Sequence, residues 1–153
     1  IAVSLENFLG DKAEVFASDI STKALDVAKN NNEKNNTNVR FIESNLFENI
    51  QEQKFNIIVS NPPYIRSNVI NNLPKQVQNE PHLALDGGED GLKFYKKIIE
   101  QACNYIENGY LILEIGYDQK EDVENLLKEN KNYSEIKTIQ DLSGNDRVIE
   151  ISI

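Results

Sequence analysis

Apolar and polar positions alternate along this chain with two different periods, and the period switches in a regular order. In the opening stretch IAVSLENFLGDK, Ile1, Leu5, Phe8 and Leu9 recur at helical spacing. AEVFASD, residues 13–19, predicts a short buried strand that ends on an acid. Ser21 stands where a helix N-cap is expected, and Leu25, Val27 and Ala28 give the helix that follows an apolar face. The asparagines at 30–32 and 35–36 predict a frayed end. NVRFIES, residues 38–44, alternates as a strand does, and LFENIQEQ reads as a loop or a short helical turn. FNIIVSN, residues 55–61, is a nearly continuous apolar run, the pattern of a strand buried on both faces.

Residues 62–90 break the rhythm. All four prolines, Pro62, Pro63, Pro74 and Pro81, fall there, with the pair Gly87-Gly88. A connection of this length inside a compact domain is usually functional or disordered. Beyond it, residues 92–108 predict a helix with Leu92, Tyr95, Ile98, Ile99 and Ala102 on one face, closed by Gly109 at C′. YLILEIG (110–116) predicts a buried strand. DQKEDVENLLKEN predicts an amphipathic helix capped by Asp118. Two last strands, YSEIKTIQD and RVIEISI, flank the turn at 142–146. Alternating strands and helices predict an α/β fold with a mainly parallel sheet. The final turn is too short for a crossover, so the last strand is antiparallel to the one before it.

Composition narrows the function. With 16 Lys and Arg against 25 Asp and Glu, the net charge is −9, a poor platform for nucleic-acid phosphates. No apolar run reaches the length of a membrane span. The single Cys103 forms no internal disulfide, and the chain reads as cytoplasmic. Mid-helix, Cys103 is expected in the core.

Ligands of open α/β sheets sit beyond the carboxyl ends of the strands. Asp19, Asn45 and Asn61 fall at such ends. Asp19 could accept both hydroxyls of a ribose, or could cap the next helix. Asn45 could bond a base, or close a turn, the reading favoured for it alone. Asn61-Pro62-Pro63-Tyr64 is sharper, because a plain turn needs neither a carboxamide nor two prolines nor an aromatic ring. An Asn side chain offers an acceptor and two donors. The Pro62 carbonyl adds a second, fixed acceptor. Together they can hold a planar amino or amide group, with Tyr64 over its face, and catalyse by positioning.

VSNPPYI resembles motif IV of class I S-adenosylmethionine-dependent methyltransferases that modify amino or amide nitrogens. NEPHLALDGGEDGLKFYKKII, residues 79–99, resembles a segment of the HemK/PrmC family, the peptide chain release factor glutamine methyltransferases. LEIGYDQ (113–119) and DLSGNDRVIEI (141–151) extend the resemblance. It implies a Rossmann-like methyltransferase domain and S-adenosyl-L-methionine as cofactor. It implies methylation of the side-chain amide nitrogen of the GGQ-loop glutamine in release factors. Asn61, Pro62 and Tyr64 would be catalytic. Asp19 with Ile20, Asn45 with Leu46, and Asn61 would bind cofactor. Asn61, Pro62, Pro63 and Tyr64, with Glu80, would bind substrate. The family more often has Asp where this chain has Asn45. A ribosomal-protein glutamine methyltransferase, a nucleic-acid amino-group methyltransferase and an inactive binding module are the alternatives.

The family's glycine-rich cofactor loop has no counterpart among the seven glycines. Residues 1–153 are therefore expected to be a catalytic domain incomplete at its N-terminus. The first strand, the glycine loop and an N-terminal helical substrate-recognition domain would be absent, and cofactor binding by these residues alone would be weak. His82 is expected on a surface loop, Asp86, Glu89 and Asp90 as solvated loop charge, and Asp146 and Arg147 in turn contacts.

Overall fold

The computed structural model describes residues 1–153. It divides into two compact units, Ile1–Gln53 and Lys54–Ile153.

In the first unit, α1 (Ala2–Leu9) is followed by a 3-10 turn, Gly10–Lys12. Strand β1 (Phe16–Asp19) then leads into α2 (Thr22–Lys34) and β2 (Arg40–Glu43). The expected N-cap is present: the Ser21 hydroxyl oxygen accepts from the Ala24 N–H at 3.3 Å. The asparagines do not fray the helix, which runs through Lys34. Asn32 Oδ1 instead accepts from the Thr37 hydroxyl at 2.8 Å and the Val39 N–H at 2.9 Å, closing the path into β2. β1 and β2 pair in parallel, Phe16 with Arg40 through Asp19 with Glu43. Their last residues, Asp19 and Glu43, thus come level at one end of the ladder.

In the second unit, β3 (Phe55–Ser60) and β4 (Ile106–Glu114) are parallel. β6 (Asp146–Ser152) is antiparallel to both β4 and β5 (Ile136–Gln140), giving the order β3-β4-β6-β5. The β-structure is therefore two sheets rather than one, with parallel and antiparallel ladders in equal number. Leu111 faces Ile151 and Leu113 faces Ile149 across β4 and β6, and all four are fully buried. Tyr95, Ile98 and Ile99 of α5 (Lys93–Gln101) and Val123 and Leu127 of α6 (Lys120–Glu129) complete this core. Full burial of each such side chain contributes about 1.5–3 kcal/mol.

The opposite sheet face carries Ile57, Val59, Tyr110 and Ile139, all exposed. β3 is thus covered on one face only, where the apolar run predicted two. A continuous apolar run reports β propensity on both faces but not which face a neighbour covers.

The helix after residue 92 is also shorter than its pattern. α5 ends at Gln101, a 3-10 turn spans Ala102–Asn104, and β4 begins at Ile106. Gly109 is a strand residue and not a C′ cap. A Cβ there would lie 1.9 Å from the Asn56 carbonyl oxygen, at the irregular start of the β3–β4 ladder. Cys103 falls in the 3-10 turn and is half-exposed rather than core. No helix is long and apolar enough to cross a membrane.

The long connection contains a 3-10 turn at Ile70–Asn72, α3 (Lys75–Gln78) and α4 (His82–Leu85). It closes on itself through a parallel bridge between Ile65 and Asp86. Ile65 N–H donates to the Leu85 carbonyl at 3.0 Å and Gly87 N–H to the Ile65 carbonyl at 2.8 Å.

Candidate functional site

β1 and β2 deliver Asp19 and Asn45 to the same end of their ladder. Asp19 is exposed, and one carboxylate oxygen accepts from the Ser21 N–H at 2.8 Å. The acid therefore supports the helix start, and its second oxygen is left for a ligand. Ile20 beside it is 48% exposed. Ser44 N–H donates to the Asp19 carbonyl at 3.0 Å, fixing the start of the loop after β2. There Asn45 closes a turn, its Nδ2 donating to Glu48 Oε1 at 2.7 Å. Leu46 has φ of +53°, an uncommon conformation for a side chain of this size. Its carbonyl accepts from the Ser44 hydroxyl at 2.9 Å, which holds the strained residue in place. An open cavity of about 740 Å³ lies within this unit, lined by Phe8, Ser18, Asp19, Leu25 and Phe41 among others. That is a usual size for a small-molecule site.

The tetrad Asn61-Pro62-Pro63-Tyr64 leaves the carboxyl end of β3, in the second unit. Asn61 is exposed, and its carboxamide makes no hydrogen bond within the protein. Pro62 is buried, Pro63 and Tyr64 half-buried. Burial is the main cause that raises the Tyr64 phenol above its ordinary pKa. The carboxylate of Glu114 raises it further, and the guanidinium of Arg147 pulls it back. Tyr95, fully buried, donates to the Glu114 carbonyl at 2.8 Å.

Sequence reasoning missed Gln119. Only 2% exposed, it is the N-cap residue of α6, the position assigned to Asp118. Its side chain makes no cap. Oε1 accepts from the Gly116 N–H at 3.0 Å. Nε2 donates to the Tyr64 carbonyl at 3.1 Å and the Gly91 carbonyl at 3.2 Å. Asp118 instead pairs with Arg66 at 2.8 Å. The one signal for it in the sequence was its place at the end of LEIGYDQ, residues 113–119, which extends the family resemblance without singling out this side chain.

The other singled-out residues divide. Glu80 is exposed on the connection, and its backbone N–H donates to the Val77 carbonyl at 3.0 Å. His82 is exposed and lies 3.8 Å from Asp86. Asp86 accepts from the Ser67 hydroxyl at 2.6 Å and the Gly88 N–H at 2.9 Å. Asp90 holds the start of α5 through the Leu92 N–H at 2.9 Å. Arg147 does make turn contacts, to Asp141 at 3.4 Å and the Ile115 carbonyl at 3.1 Å. Asp146 pairs with Lys120 at 3.6 Å.

Comparison with known proteins bears on these groups. The methyltransferase small domain family matches the chain over residues 1–78, from α1 through the tetrad. The chain belongs to the methyltransferase small domain family. It is 42% identical over 153 residues to the release factor glutamine methyltransferase of Fusobacterium nucleatum, covering 97% of this chain and 43% of that protein. It is 43% identical over 142 residues to the release factor glutamine methyltransferase of Agrobacterium fabrum, covering 90% and 48%. To the ribosomal protein uL3 glutamine methyltransferase of Francisella tularensis it is 43% identical over 122 residues, covering 78% and 38%. The chain spans about half the length of the first two of these relatives, or slightly less. Among solved structures, a methyltransferase from Pyrococcus furiosus superposes with a TM-score of 0.70 at 23% identity, over 97% of this chain and 66% of that one. That likeness shows the fold, the Rossmann-like α/β architecture of class I methyltransferases.

Proposed function

We propose that this chain carries the catalytic residues of a methyltransferase acting on the side-chain amide nitrogen of a protein glutamine, with S-adenosyl-L-methionine as methyl donor. The substrate is the GGQ-loop glutamine of peptide chain release factors. The observation that carries the reading is Asn61, an exposed carboxamide with no partner in the protein, at the end of β3 and next to a rigid double proline.

An amide nitrogen is a weak nucleophile, because its lone pair is delocalised into the carbonyl. Binding must therefore supply orientation more than basicity. Asn61 Oδ1 and the Pro62 carbonyl accept the two N–H bonds of the substrate amide. The ring of Pro63 fixes its φ and so limits how far the Pro62 carbonyl can turn, while the Asn61 side chain is left free to meet the amide. The face of the amide is presented for transfer, and its displaced proton leaves to solvent. The cofactor, when bound, supplies an electrophilic methyl group. The residues of the first unit suit it: Asp19 has a carboxylate oxygen left for a ribose hydroxyl, and the adjoining cavity is of ligand size. Ile20, Asn45 and Leu46 would flank the nucleoside.

The test is methylation of a purified release factor by the natural protein that carries this chain. The expected result is a gain of one methyl group on the GGQ glutamine, lost in Asn61→Ala. A protein that methylates no glutamine would overturn the reading. A second substrate, the glutamine of ribosomal protein uL3, is favoured by the relative from Francisella tularensis. Competition between the two substrates in one reaction ranks them.

A further inference from the structure

Two prolines fix two φ angles inside the tetrad, but they do not fix where the tetrad points. Its direction is set at its two ends. At the first end, Ser60 is held in the β3–β4 ladder opposite Leu113. At the second, Ile65 is bonded to Leu85, the last residue of α4, and to Gly87 in the loop that follows. Those bonds tie the tetrad to the 85–91 segment, which is joined to α5 where the Lys93 N–H donates to the Gly87 carbonyl at 3.0 Å, and a further tie reaches the β4–α6 turn.

Gln119 makes that tie. It stands in the turn between β4 and α6, and one carboxamide reaches three backbone segments: Gly116 of its own turn, Tyr64 of the tetrad and Gly91 of the loop. The partners are two carbonyls and one N–H. Only one orientation of the amide, with Nε2 toward the carbonyls, satisfies all three. The fit leaves no slack. A Cβ added at Gly91 would fall 2.5 Å from the Tyr64 carbonyl oxygen and 2.6 Å from Gln119 Nε2. The second link from this region to the same turn, Arg66 with Asp118, is exposed on both sides and screened by solvent.

We propose that Gln119 is a positioning residue for amide methylation: it fixes the carboxyl end of the tetrad to the β4–α6 turn and so aims the Asn61 and Pro62 acceptors. The inference rests on the reading of the tetrad as the amide site. Gln119 touches no reacting atom, so its replacement should act on turnover and leave cofactor affinity alone.

Two variants test it. Gln119→Glu keeps an acceptor for Gly116 but turns a carboxylate toward two carbonyls. Gln119→Met keeps the shape and removes every bond. The measurements, on the natural protein that carries this chain, are the crystal structure of each variant, S-adenosylhomocysteine affinity, and kcat and KM for release factor methylation. We expect residues 61–64 to shift, kcat to fall about 10²-fold, the size of loss that an ångström of misplacement causes, and S-adenosylhomocysteine affinity to stay within about threefold of wild type. The inference is overturned if the tetrad stays in place in both variants, or if it moves and kcat does not fall. It is overturned equally if neither variant folds, since Gln119 would then serve stability alone. If the wild-type protein methylates no glutamine while the tetrad shifts in the variants, the tether stands as geometry. What fails then is the proposed function, and the positioning role for catalysis with it.

Discussion

Gly87 lies flush against the backbone of Tyr64. A Cβ at residue 87 would meet Tyr64 Cα at 2.7 Å, the Tyr64 carbonyl carbon at 2.8 Å and the Gly91 carbonyl oxygen at 2.9 Å. All three are backbone or backbone-linked atoms that cannot rotate away. The absence of a side chain at 87 is therefore what lets the tetrad and the glycine-rich loop pack against each other. Gly87→Ala should cost about 1–3 kcal/mol, the usual range for overpacking. Urea unfolding measures it, with Gly144→Ala as control. Gly144 has φ of +82° but nothing within 4 Å, so its cost should be about 1 kcal/mol and conformational only.

The contrast between Asn61 and Gln119 shows what the sequence could reveal. Asn61 sits beside two prolines that announce a rigid turn, so its importance was legible from neighbours one and two residues away. Gln119 works through Tyr64 and Gly91, at sequence separations of 55 and 28. Its place in LEIGYDQ says nothing of these partners, and only the fold brings the three together. The same rule explains the boundaries. Ser21 capped its helix as read, because capping is settled within three residues. Gly109 looked like a helix stop, yet it belongs to β4, because what it must avoid is Asn56 on another strand. The exposed face of β3 was likewise invisible, since burial of Ile57 and Val59 depends on what covers them and not on their own type.

Gly109 should be the least replaceable glycine in the chain. The 1.9 Å approach to the Asn56 carbonyl cannot be relieved without opening the β3–β4 ladder. Gly109→Ala is expected to destabilise by at least about 3 kcal/mol, at or above the top of the overpacking range. Loss of amide protection along β3 and β4 in hydrogen exchange would locate the damage. A stability equal to wild type would show that the two strands can separate there at no cost.

Asp86 couples the long connection to pH. Its carboxyl is held below the usual range, first by the Ser67 hydroxyl, then by the Gly88 N–H, with His82 and Lys93 adding favourable charge. A folded pKa below the unfolded one means that the unfolded chain binds the proton more readily. The contribution to stability is then fully present above the unfolded value of about 3.9 and is lost as pH falls through the folded value. Ser67→Ala should weaken the protein at pH 7 and leave its stability at pH 2 nearly unchanged. Urea midpoints at the two pH values check this, and an equal drop at both would place the effect in packing rather than in the charge.

Tyr64 separates positioning from proton transfer. Burial and Glu114 together keep its phenol protonated through neutral pH, so it has no proton vacancy to offer as a base. Its carbonyl is held by Gln119 and its Cα is packed by Gly87, and both contacts survive removal of the hydroxyl. Tyr64→Phe should therefore keep kcat within about tenfold of wild type, whereas loss of a general base costs about 10²–10⁴-fold. Stability should change little, because the ring keeps its packing. Tyr64→Ala, which removes the ring, should lose turnover about as severely as the tetrad's misplacement would, near 10²-fold. The pH–rate profiles of the wild type and Tyr64→Phe should superpose. A limb present in the first and absent in the second would identify Tyr64 as a proton-transfer group and refute the positioning account.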